Sequence, residues 1–260
     1  MAVDSLDLIS AVTAPCRVVA QMTNYVSHVK GAGMDPKTVP LTFFRKTSGS
    51  ISGPFDEIIK PQHVKLLDYE IEIGLVIGRD IPLGTELTES NLADFIAGLV
   101  VTNDVSARDV QLTKTKFYEA KSHPTFIPVG PALVLLDADE LKRFGDLRLR
   151  LRVSGEVRQN MLVDGDMIYK PLQALQSLAR FQHLGAGDLV MTGTPVGTAL
   201  GAPPKPIASL LPPTVKWKAF FKRQANNPKY LQNGYIMELS VATDDGAIDL
   251  GTQCTAVRYA

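Results

Sequence analysis

The chain has 260 residues and a formal net charge of zero at pH 7, with 45% apolar and 21% charged residues. These proportions are ordinary for a globular protein with a hydrophobic core, and they exclude a disordered or fibrous chain. Because nucleic-acid-binding domains are usually strongly basic, the neutral charge also argues against that class.

Strands dominate the predicted secondary structure. The clearest is the strand 69–78, in which every second residue is apolar, and a short capped helix is predicted over 88–93. A second helix begins at Pro171, in the favoured first position, and extends to Leu184. Further strands are predicted at 96–102, 133–136, 147–153 and 189–192, followed by a C-terminal hairpin of strands 235–242 and 248–257.

The order of these elements bears on the fold class. No regular alternation of strands and helices is present, which argues against a Rossmann fold and a TIM barrel. The content of 20 glycines and 17 prolines favours a turn-rich fold over a helical bundle. We therefore expect an α+β fold that is mainly β, as one domain over residues 1–260 with an N-terminal segment 1–20.

The segment 201–233 differs in composition from the rest of the chain. It begins with a proline-rich stretch and continues with KWKAFFKR, which carries four cations in eight residues. A surface excursion or subunit contact is one interpretation, and a lid or anion-attracting rim is another. Membrane association is disfavoured because the segment is short, and one basic stretch on a neutral chain would give little nucleic-acid affinity.

The sequence also bears on the cellular compartment. No apolar run approaches the roughly 18 residues of a membrane span. Asp4 and Asp7 precede the first basic residue, Arg17, which is the reverse of a signal peptide. The two cysteines are too few for a disulfide scaffold. These features predict a cytoplasmic protein without membrane or nucleic-acid partners.

Two glutamates on the strand 69–78 are the first candidates for chemistry. Glu70 and Glu72 project from the same face, about 7 Å apart along the strand. Like charges at this spacing are stabilised by a hard divalent cation, which binds several carboxylate oxygens. The alternative is that this face of the strand is exposed to water, in which case the two carboxylates form no site.

Asp104 and Lys121 extend this hypothesis. Asp104 directly follows the strand 96–102, so three carboxylates could converge on one cation. Ligation by oxygen alone favours Mg²⁺, Mn²⁺ or Ca²⁺ over zinc. Lys121 is a candidate to offset the remaining negative charge and to hold an anionic substrate, although a lysine is more often a solvated surface group.

Short motifs occur in a specific order along the chain. The most specific are DYEIEIGLVIGR at 68–79, NDVSARDVQ at 103–111 and GDLVMTGTPVG at 187–197. Weaker ones are NYVSH at 24–28, FFRK at 43–46, SISGP at 50–54, AKSH at 120–123, GP at 130–131 and GEVRQ at 155–159. Together, over roughly 18–195, these motifs resemble the fumarylacetoacetate hydrolase family.

The resemblance implies a fold and a set of site residues. The implied fold is a rolled, mixed set of β-sheets with a few short helices, usually in a homodimer. The implied cofactor is a divalent metal, usually Mg²⁺, whose ligands would be Glu70, Glu72 and Asp104. Lys121 would lie beside the metal, and the oxo-acid end of the substrate would be surrounded by Arg108, Gln111 and Thr194.

The family's catalytic histidine corresponds to His28, on a segment that often acts as a lid. Many members carry a glutamate three residues later, and the resulting His–Glu pair activates water. This chain has Gly31 at that position, and the nearest charged residues are Lys30 and Asp35. A family proline is also replaced, by Thr47. These departures weaken the expectation of hydrolysis more than that of metal binding.

We therefore expect a metal-dependent hydrolase that cleaves a C–C bond in 1,3-diketo or acylpyruvate acids of aromatic catabolism. The metal would polarise the substrate oxygens, Lys121 would stabilise the developing oxyanion, and Arg108 would hold a carboxylate. His28 would be the general base. Decarboxylation of a 2-oxo acid and isomerisation of a 2-hydroxydienoate are alternatives within the same family. A non-catalytic, metal-stabilised binding protein is an alternative from another class.

Overall fold

The computed structural model describes residues 6–114, 116–200 and 213–260. Its strands are β1 (Val18–Met22), β2 (Thr42–Lys46), β3 (Ile51–Ser52), β4 (Ile58–Lys60), β5 (Leu67–Asp68), β6 (Ile71–Ile77), β7 (Ile96–Asn103), β8 (Ser106–Ala107), β9 (Ile127–Pro128), β10 (Leu147–Val153), β11 (Glu156–Leu162), β12 (Leu189–Met191), β13 (Ile236–Thr243) and β14 (Asp249–Tyr259). Its α-helices are α1 (Val26–Gly31), α2 (Arg108–Lys114), α3 (Phe117–Lys121), α4 (Ala138–Lys142), α5 (Pro171–Leu178) and α6 (Pro213–Gln224). Short 3₁₀ turns cover Pro36–Thr38, Ser48–Ser50, Leu92–Asp94 and Arg143–Asp146.

Two five-stranded sheets and two strand pairs organise these elements. The first sheet has the order β2-β1-β12-β6-β7, and only the β1–β12 pairing is parallel. The second has the order β11-β10-β13-β14-β4, with β4 parallel to β14. The pairs are β3 with β9 and β5 with β8. Mixed sheets with short helices confirm the predicted α+β, mainly β fold.

Strand β6 lies inside the first sheet and is buried along its whole length. One face packs Ile71, Ile73 and neighbouring apolar residues into the main core. On the other face, Gly74 permits close packing, because a Cβ there would lie 2.6 Å from Val100 Cγ2 and 2.8 Å from Leu189 Cδ1. Because both faces of this strand are covered by packing, its polar residues are shielded from water as well as its apolar ones.

Most of the predicted strands are confirmed. β7 matches the predicted strand 96–102, β10 matches 147–153, and β13 and β14 form the predicted hairpin. In β10 the residues Leu147, Leu149, Leu151 and Val153 are buried, whereas the arginines between them are partly or fully exposed. The alternation of apolar and charged residues therefore predicted correctly which face of β10 is buried.

The predicted strand 133–136 is wrong. This segment forms a single bridge, in which Val134 exchanges two backbone hydrogen bonds with Leu99 of β7, at 2.9 and 3.0 Å. Leu135 is 70% exposed. This apolar segment therefore contacts the edge strand of the sheet at one residue pair and does not add a further strand to it.

Both predicted helices are shorter in the structure. Over 88–93 there is only the 3₁₀ turn Leu92–Asp94, and the Asn91 side chain accepts a hydrogen bond from the Thr88 backbone N–H at 2.8 Å. Helix α5 begins at Pro171 as predicted but ends at Leu178. Leu184 instead forms a β-bridge with Ile81, which places it in the core without helical geometry.

The segment 201–233 is described in part, because residues 201–212 lie outside the described residues. From α6 onward the chain contributes to the core: Phe220, Tyr230 and Leu231 are buried. Lys222 and Arg223 of the basic stretch are exposed. Within the described ranges, the helices are too short or too polar to cross a membrane.

Candidate active site

Three carboxylates meet where β6 begins and β7 ends. The two strands are antiparallel with Ile71 opposite Asn103, and the Asp104 backbone N–H donates to the Glu70 carbonyl at 2.8 Å. One carboxylate oxygen from each of Glu70, Glu72 and Asp104 lies within 4.8 Å of the others. All three residues are at most 5% exposed. The alternative of a water-exposed glutamate face is therefore wrong.

Two buried lysines bind this acidic cluster. Lys121, at the end of α3, donates to Glu70 Oε2 at 2.5 Å and also to Asp104 Oδ2. Lys46, at the end of β2, donates to Asp104 Oδ1 at 2.5 Å and to the Phe126 carbonyl at 3.0 Å. Lys121 is thus not a solvated surface group. Sequence reasoning missed Lys46, although its FFRK motif had been singled out.

Arg108 is fixed by three partners at the start of α2. Its Nε donates to Asp68 at 2.8 Å, its Nη1 donates to Gln111 Oε1 at 2.8 Å, and its Nη2 donates to Glu70. A guanidinium has five N–H groups, so two have no partner among the described residues and could bind another anion. Sequence reasoning also missed Asp68, which is completely buried and additionally accepts the Ala199 N–H at 2.7 Å.

The loop after β12 closes the other side of the cluster. Gly193 donates its N–H to Glu72 Oε2 at 2.7 Å, and its φ of 83° is one that side-chain-bearing residues rarely adopt. A Cβ at Gly193 would also lie 2.9 Å from Asn24 Cβ. The next residue, Thr194, accepts a hydrogen bond from Gln159 Nε2 at 2.9 Å. Glycine is therefore required where the loop approaches the carboxylates.

The charges in this cluster are unequal. Burial disfavours the Glu70 carboxylate, but Arg108 and Lys121 outweigh that effect and lower the pKa of Glu70. Burial, together with repulsion by Asp104 and Glu70, raises the pKa of Glu72. Four acidic groups, including Asp68, face the three cations Lys46, Arg108 and Lys121. With all of these groups ionised, one negative charge is in excess, and the raised pKa marks Glu72 as the carboxylate whose charge is least stabilised by its surroundings.

These features fit a divalent cation. The three converging carboxylates supply only oxygen donors, which suits Mg²⁺, Mn²⁺ or Ca²⁺ better than zinc. Within the described residues, Glu72 accepts a hydrogen bond from one backbone N–H and from no side chain. A bound cation would stabilise the ionised form of Glu72, which burial and the neighbouring carboxylates disfavour. Glu70, Glu72 and Asp104 are thus the residues that could hold it.

All eight predicted site residues line one cavity of about 300 Å³. The structure therefore brings together Glu70, Glu72, Asp104, Lys121, Arg108, Gln111, Thr194 and His28. His28 is half-buried on α1, and burial, reinforced by the nearby Arg108 and Lys121, lowers its pKa. Its imidazole is consequently neutral at pH 7. No carboxylate in the described part of the chain is hydrogen-bonded to this ring.

Helix α1 is held in place by Asp166. The helix has Tyr25 at its N-cap and no side-chain cap of its own. Instead, the Asp166 carboxylate accepts the Ser27 N–H at 2.7 Å and the Ser27 hydroxyl at 2.5 Å. Ser27 Oγ also accepts the Val196 N–H at 3.1 Å, which joins the helix to the 193–197 loop. These hydrogen bonds therefore fix the helix that carries His28, in the segment that the family resemblance implies is a lid.

We expect Asp166→Ala to lower both stability and turnover. Removing an almost buried carboxylate that caps a helix costs about 1–3 kcal/mol, and His28 loses its fixed position. The matched control is Asp164→Ala, which removes a nearby exposed carboxylate that pairs with exposed Lys170 at 3.3 Å. Urea unfolding and steady-state kinetics test this prediction. Equal effects of the two substitutions would contradict it.

Comparison with known proteins agrees with this architecture. The family model described as fumarylacetoacetate (FAA) hydrolase C-terminal matches residues 17–258. A mitochondrial oxaloacetate tautomerase of Rattus norvegicus is 34% identical over 193 residues, which cover 74% of this chain. The match covers only 59% of that relative's length, so the activity of the whole relative does not transfer directly.

Solved structures with the same fold include enzymes of two reaction types. A 5-carboxymethyl-2-hydroxymuconate delta-isomerase from Mycobacterium smegmatis has a TM-score of 0.74 at 25% identity, covering 99% of this chain and 84% of that one. A fumarylacetoacetate hydrolase from psychrophilic Exiguobacterium antarcticum has a TM-score of 0.75 at 29% identity, covering 100% and 80%. The chain therefore belongs to the fumarylacetoacetate hydrolase family.

Proposed function

We propose that the protein is a divalent-cation-dependent isomerase or tautomerase of 2-oxo acids. The reaction would move a proton between carbon and oxygen, or between two carbons, next to the 2-oxo group. The observation that carries this proposal is the single cavity in which neutral His28 shares the space with the carboxylate cluster and Lys121. The tautomerase and isomerase names of two similar proteins support the same reaction class.

The proposed mechanism assigns a role to each group. A divalent cation held by Glu70, Glu72 and Asp104, with Mg²⁺ the ion we propose, would act as a Lewis acid toward the substrate's oxo group. The two free N–H groups of Arg108 would bind the substrate carboxylate, and Gln111 and Thr194 would complete its orientation. These interactions would fix the acidic C–H bond of the substrate within the cavity.

Proton transfer would then involve two side chains. His28 would accept the proton from the α-carbon at an imidazole nitrogen, because a neutral imidazole is a base. Lys121 would donate a hydrogen bond to the oxygen on which negative charge develops. Burial opposes its charge, but Asp104 and Glu70 outweigh that effect and raise the pKa of Lys121, so it stays protonated.

The missing glutamate favours proton transfer over water activation. A histidine that activates water gains from a carboxylate that orients the ring and stabilises its charged form. Gly31 occupies the position of that glutamate, and His28 has no hydrogen-bonded carboxylate partner in the described ranges. An enolisation requires only that the imidazole take up a proton and return it.

Substitution of His28 tests the proposed base. We expect His28→Ala to lower the rate of C3-proton exchange of oxaloacetate in D₂O, measured by NMR with Mg²⁺, by about 100-fold. The lowered pKa of His28 predicts a rate that is level around pH 7 and falls only below pH 6.5, as the ring becomes protonated. The matched control is His183→Ala, which removes a largely exposed histidine outside the cavity. Equal rates in the two variants would contradict the assignment.

C–C hydrolysis of an acylpyruvate is the second candidate. The similarity to the Exiguobacterium antarcticum hydrolase and the location of His28 in the cavity support it. We expect Gly31→Glu to raise hydrolysis relative to enolisation, because the new carboxylate could pair with His28. A Cβ at position 31 would lie 3.2 Å from Val196 Cγ2, so the substitution is combined with Val196→Ala to make room.

Product ratios decide between the two reactions. Pyruvate release from an acylpyruvate reports hydrolysis, and C3-proton exchange of the same compound reports enolisation. Val196→Ala alone is the control for altered packing. Efficient pyruvate release by the unaltered protein, with no further increase in the double variant, would instead make hydrolysis the native reaction. Homodimerisation is also proposed on the family resemblance, and light scattering tests it. A cytoplasmic location is proposed on the sequence, which has only two cysteines.

A further inference from the structure

A second cavity of about 410 Å³ adjoins the catalytic cavity. Three residues, Met22, Thr23 and Met34, line both cavities, and the other residues around the second one belong to the segment 35–42. Both volumes lie in or near the range of small-molecule sites. A ligand whose reacting end occupies the catalytic cavity would therefore extend past these three side chains into the second cavity.

The wall of the second cavity is held by internal hydrogen bonds. The Asp35 carboxylate accepts the Lys37 N–H at 3.0 Å and thereby caps the turn Pro36–Thr38. The Tyr169 hydroxyl donates to the Val39 carbonyl at 2.7 Å, and the Thr42 hydroxyl donates to the Pro40 carbonyl at 3.3 Å. The wall is thus shaped before a ligand binds, which reduces the entropy lost on binding.

Thr23, at the boundary of the two cavities, has an unusual backbone conformation. Its φ is 57°, in the left-handed region that β-branched residues rarely adopt. The following residue, Asn24, is fixed by side-chain hydrogen bonds with the Tyr169 backbone N–H and carbonyl, at 2.9 and 3.0 Å. The surrounding structure therefore holds Thr23 in this strained position, as is common at ligand sites.

The lining of the second cavity disfavours a second anionic group. Met22, Met34 and Val39 supply apolar surface, and Asp35 is the one charged residue among the described residues that line it. Among the residues that line the cavity, a terminal carboxylate would meet Asp35 and no cation, whereas an uncharged chain would bury apolar surface there. Arg108 and Lys121, the cations of the neighbouring cavity, do not line this second cavity.

We propose that the second cavity binds the end of the substrate remote from the oxo acid, and that this end is uncharged and largely apolar. The substrate class is then a 2-oxo monoacid with an alkyl or similar tail, and not a long dicarboxylate. The inference rests on the proposed function, because that function places the oxo-acid end at Arg108. Asp35 and Met34 are the residues that would set the specificity.

Two acids of equal length test this inference. 2-Oxoheptanoate and 2-oxoheptanedioate differ only in the terminal carboxylate, and their binding with Mg²⁺ is measured by calorimetry at pH 7.5. We expect the monoacid to bind about tenfold more tightly in the unaltered protein. Asp35→Asn keeps the turn cap but removes the charge, so the ratio should approach one. Met34→Lys adds a cation at the boundary and should favour the diacid.

Asp56→Asn is the matched control for Asp35→Asn. Asp56→Asn alters an exposed carboxylate that also caps a turn, through the Gly53 N–H at 2.6 Å, but lines neither cavity, and it should leave the ratio unchanged. Equal binding of the two acids, tighter binding of the diacid, no binding of either, or a ratio unaffected by Asp35→Asn would overturn the inference. C3-proton exchange in D₂O is measured separately: a persistent binding ratio without exchange would support the tail site while contradicting the proposed reaction.

Discussion

Glu72→Gln is expected to abolish divalent-cation-dependent turnover, with a loss of about 100-fold or more, without destabilising the metal-free protein. Burial and repulsion by Asp104 and Glu70 raise the pKa of Glu72, so its negative charge is the least stabilised in the site, and its described hydrogen-bond partner is the Gly193 N–H. The glutamine carbonyl can still accept that hydrogen bond. Removing the charge also relieves repulsion with Glu70 and Asp104, so the metal-free variant should be at least as stable as the original.

Asp104→Ala would be a less informative substitution. Asp104 binds both Lys46 and Lys121, and these two lysine side chains are at most 3% exposed. Removing their shared partner leaves Lys46 without an acidic partner among the described residues and Lys121 with Glu70 alone, at a cost of about 3–5 kcal/mol. The structure therefore predicts partial or complete unfolding for Asp104→Ala.

Thermal unfolding with and without Mg²⁺ measures the effect of Glu72→Gln. A cation that binds only the folded state raises the melting temperature of the original protein. In the variant we expect no rise, together with an unchanged or higher melting temperature in the absence of metal. A Mg²⁺-dependent rise that persists in Glu72→Gln would show that Glu72 is not a ligand.

The period-two pattern predicted β6 and placed Glu70 and Glu72 on one face. It could not predict that this face is buried, because the cover comes from residues distant in sequence. Gly193 in the loop after β12 and Lys121 on α3 close over the two carboxylates. Only the pairing of β12 with β6, an interaction between strands more than 100 residues apart, brings that loop to the site.

The same limitation explains the residues that sequence reasoning missed. Arg45 and Lys46 are consecutive, and a strand must place one inward and one outward. Which of them is buried depends on the register of β2 with β1, where Lys46 lies opposite Val18. Asp166 carries no local motif, and its role arises only because the 163–169 segment lies against the start of α1. A signal for Lys46 was present in the FFRK motif.

Lys121→Met is expected to lower kcat by about 100-fold or more, because the ammonium meets negative charge that develops during the reaction. Lys46→Met provides a matched comparison. Both substitutions remove a buried ammonium that binds Asp104, so both should destabilise the fold, and Lys121→Met at least as much because Lys121 also binds Glu70. Only Lys121 lines the catalytic cavity, where its Nζ lies 5.2 Å from the centre of the Phe44 ring.

The two lysine variants separate a catalytic role from a structural one. If Lys121 acts in the transition state, its loss lowers kcat with little change in KM at saturating Mg²⁺, whereas Lys46→Met mainly lowers the free energy of unfolding. A raised KM with unchanged kcat in Lys121→Met would make this residue a ground-state contact of the substrate. Equal losses of kcat in the two variants would mean that turnover depends only on the charge that neutralises Asp104. That result would remove Lys121 from the proposed proton-transfer step and leave the carboxylate cluster and His28 as its remaining groups.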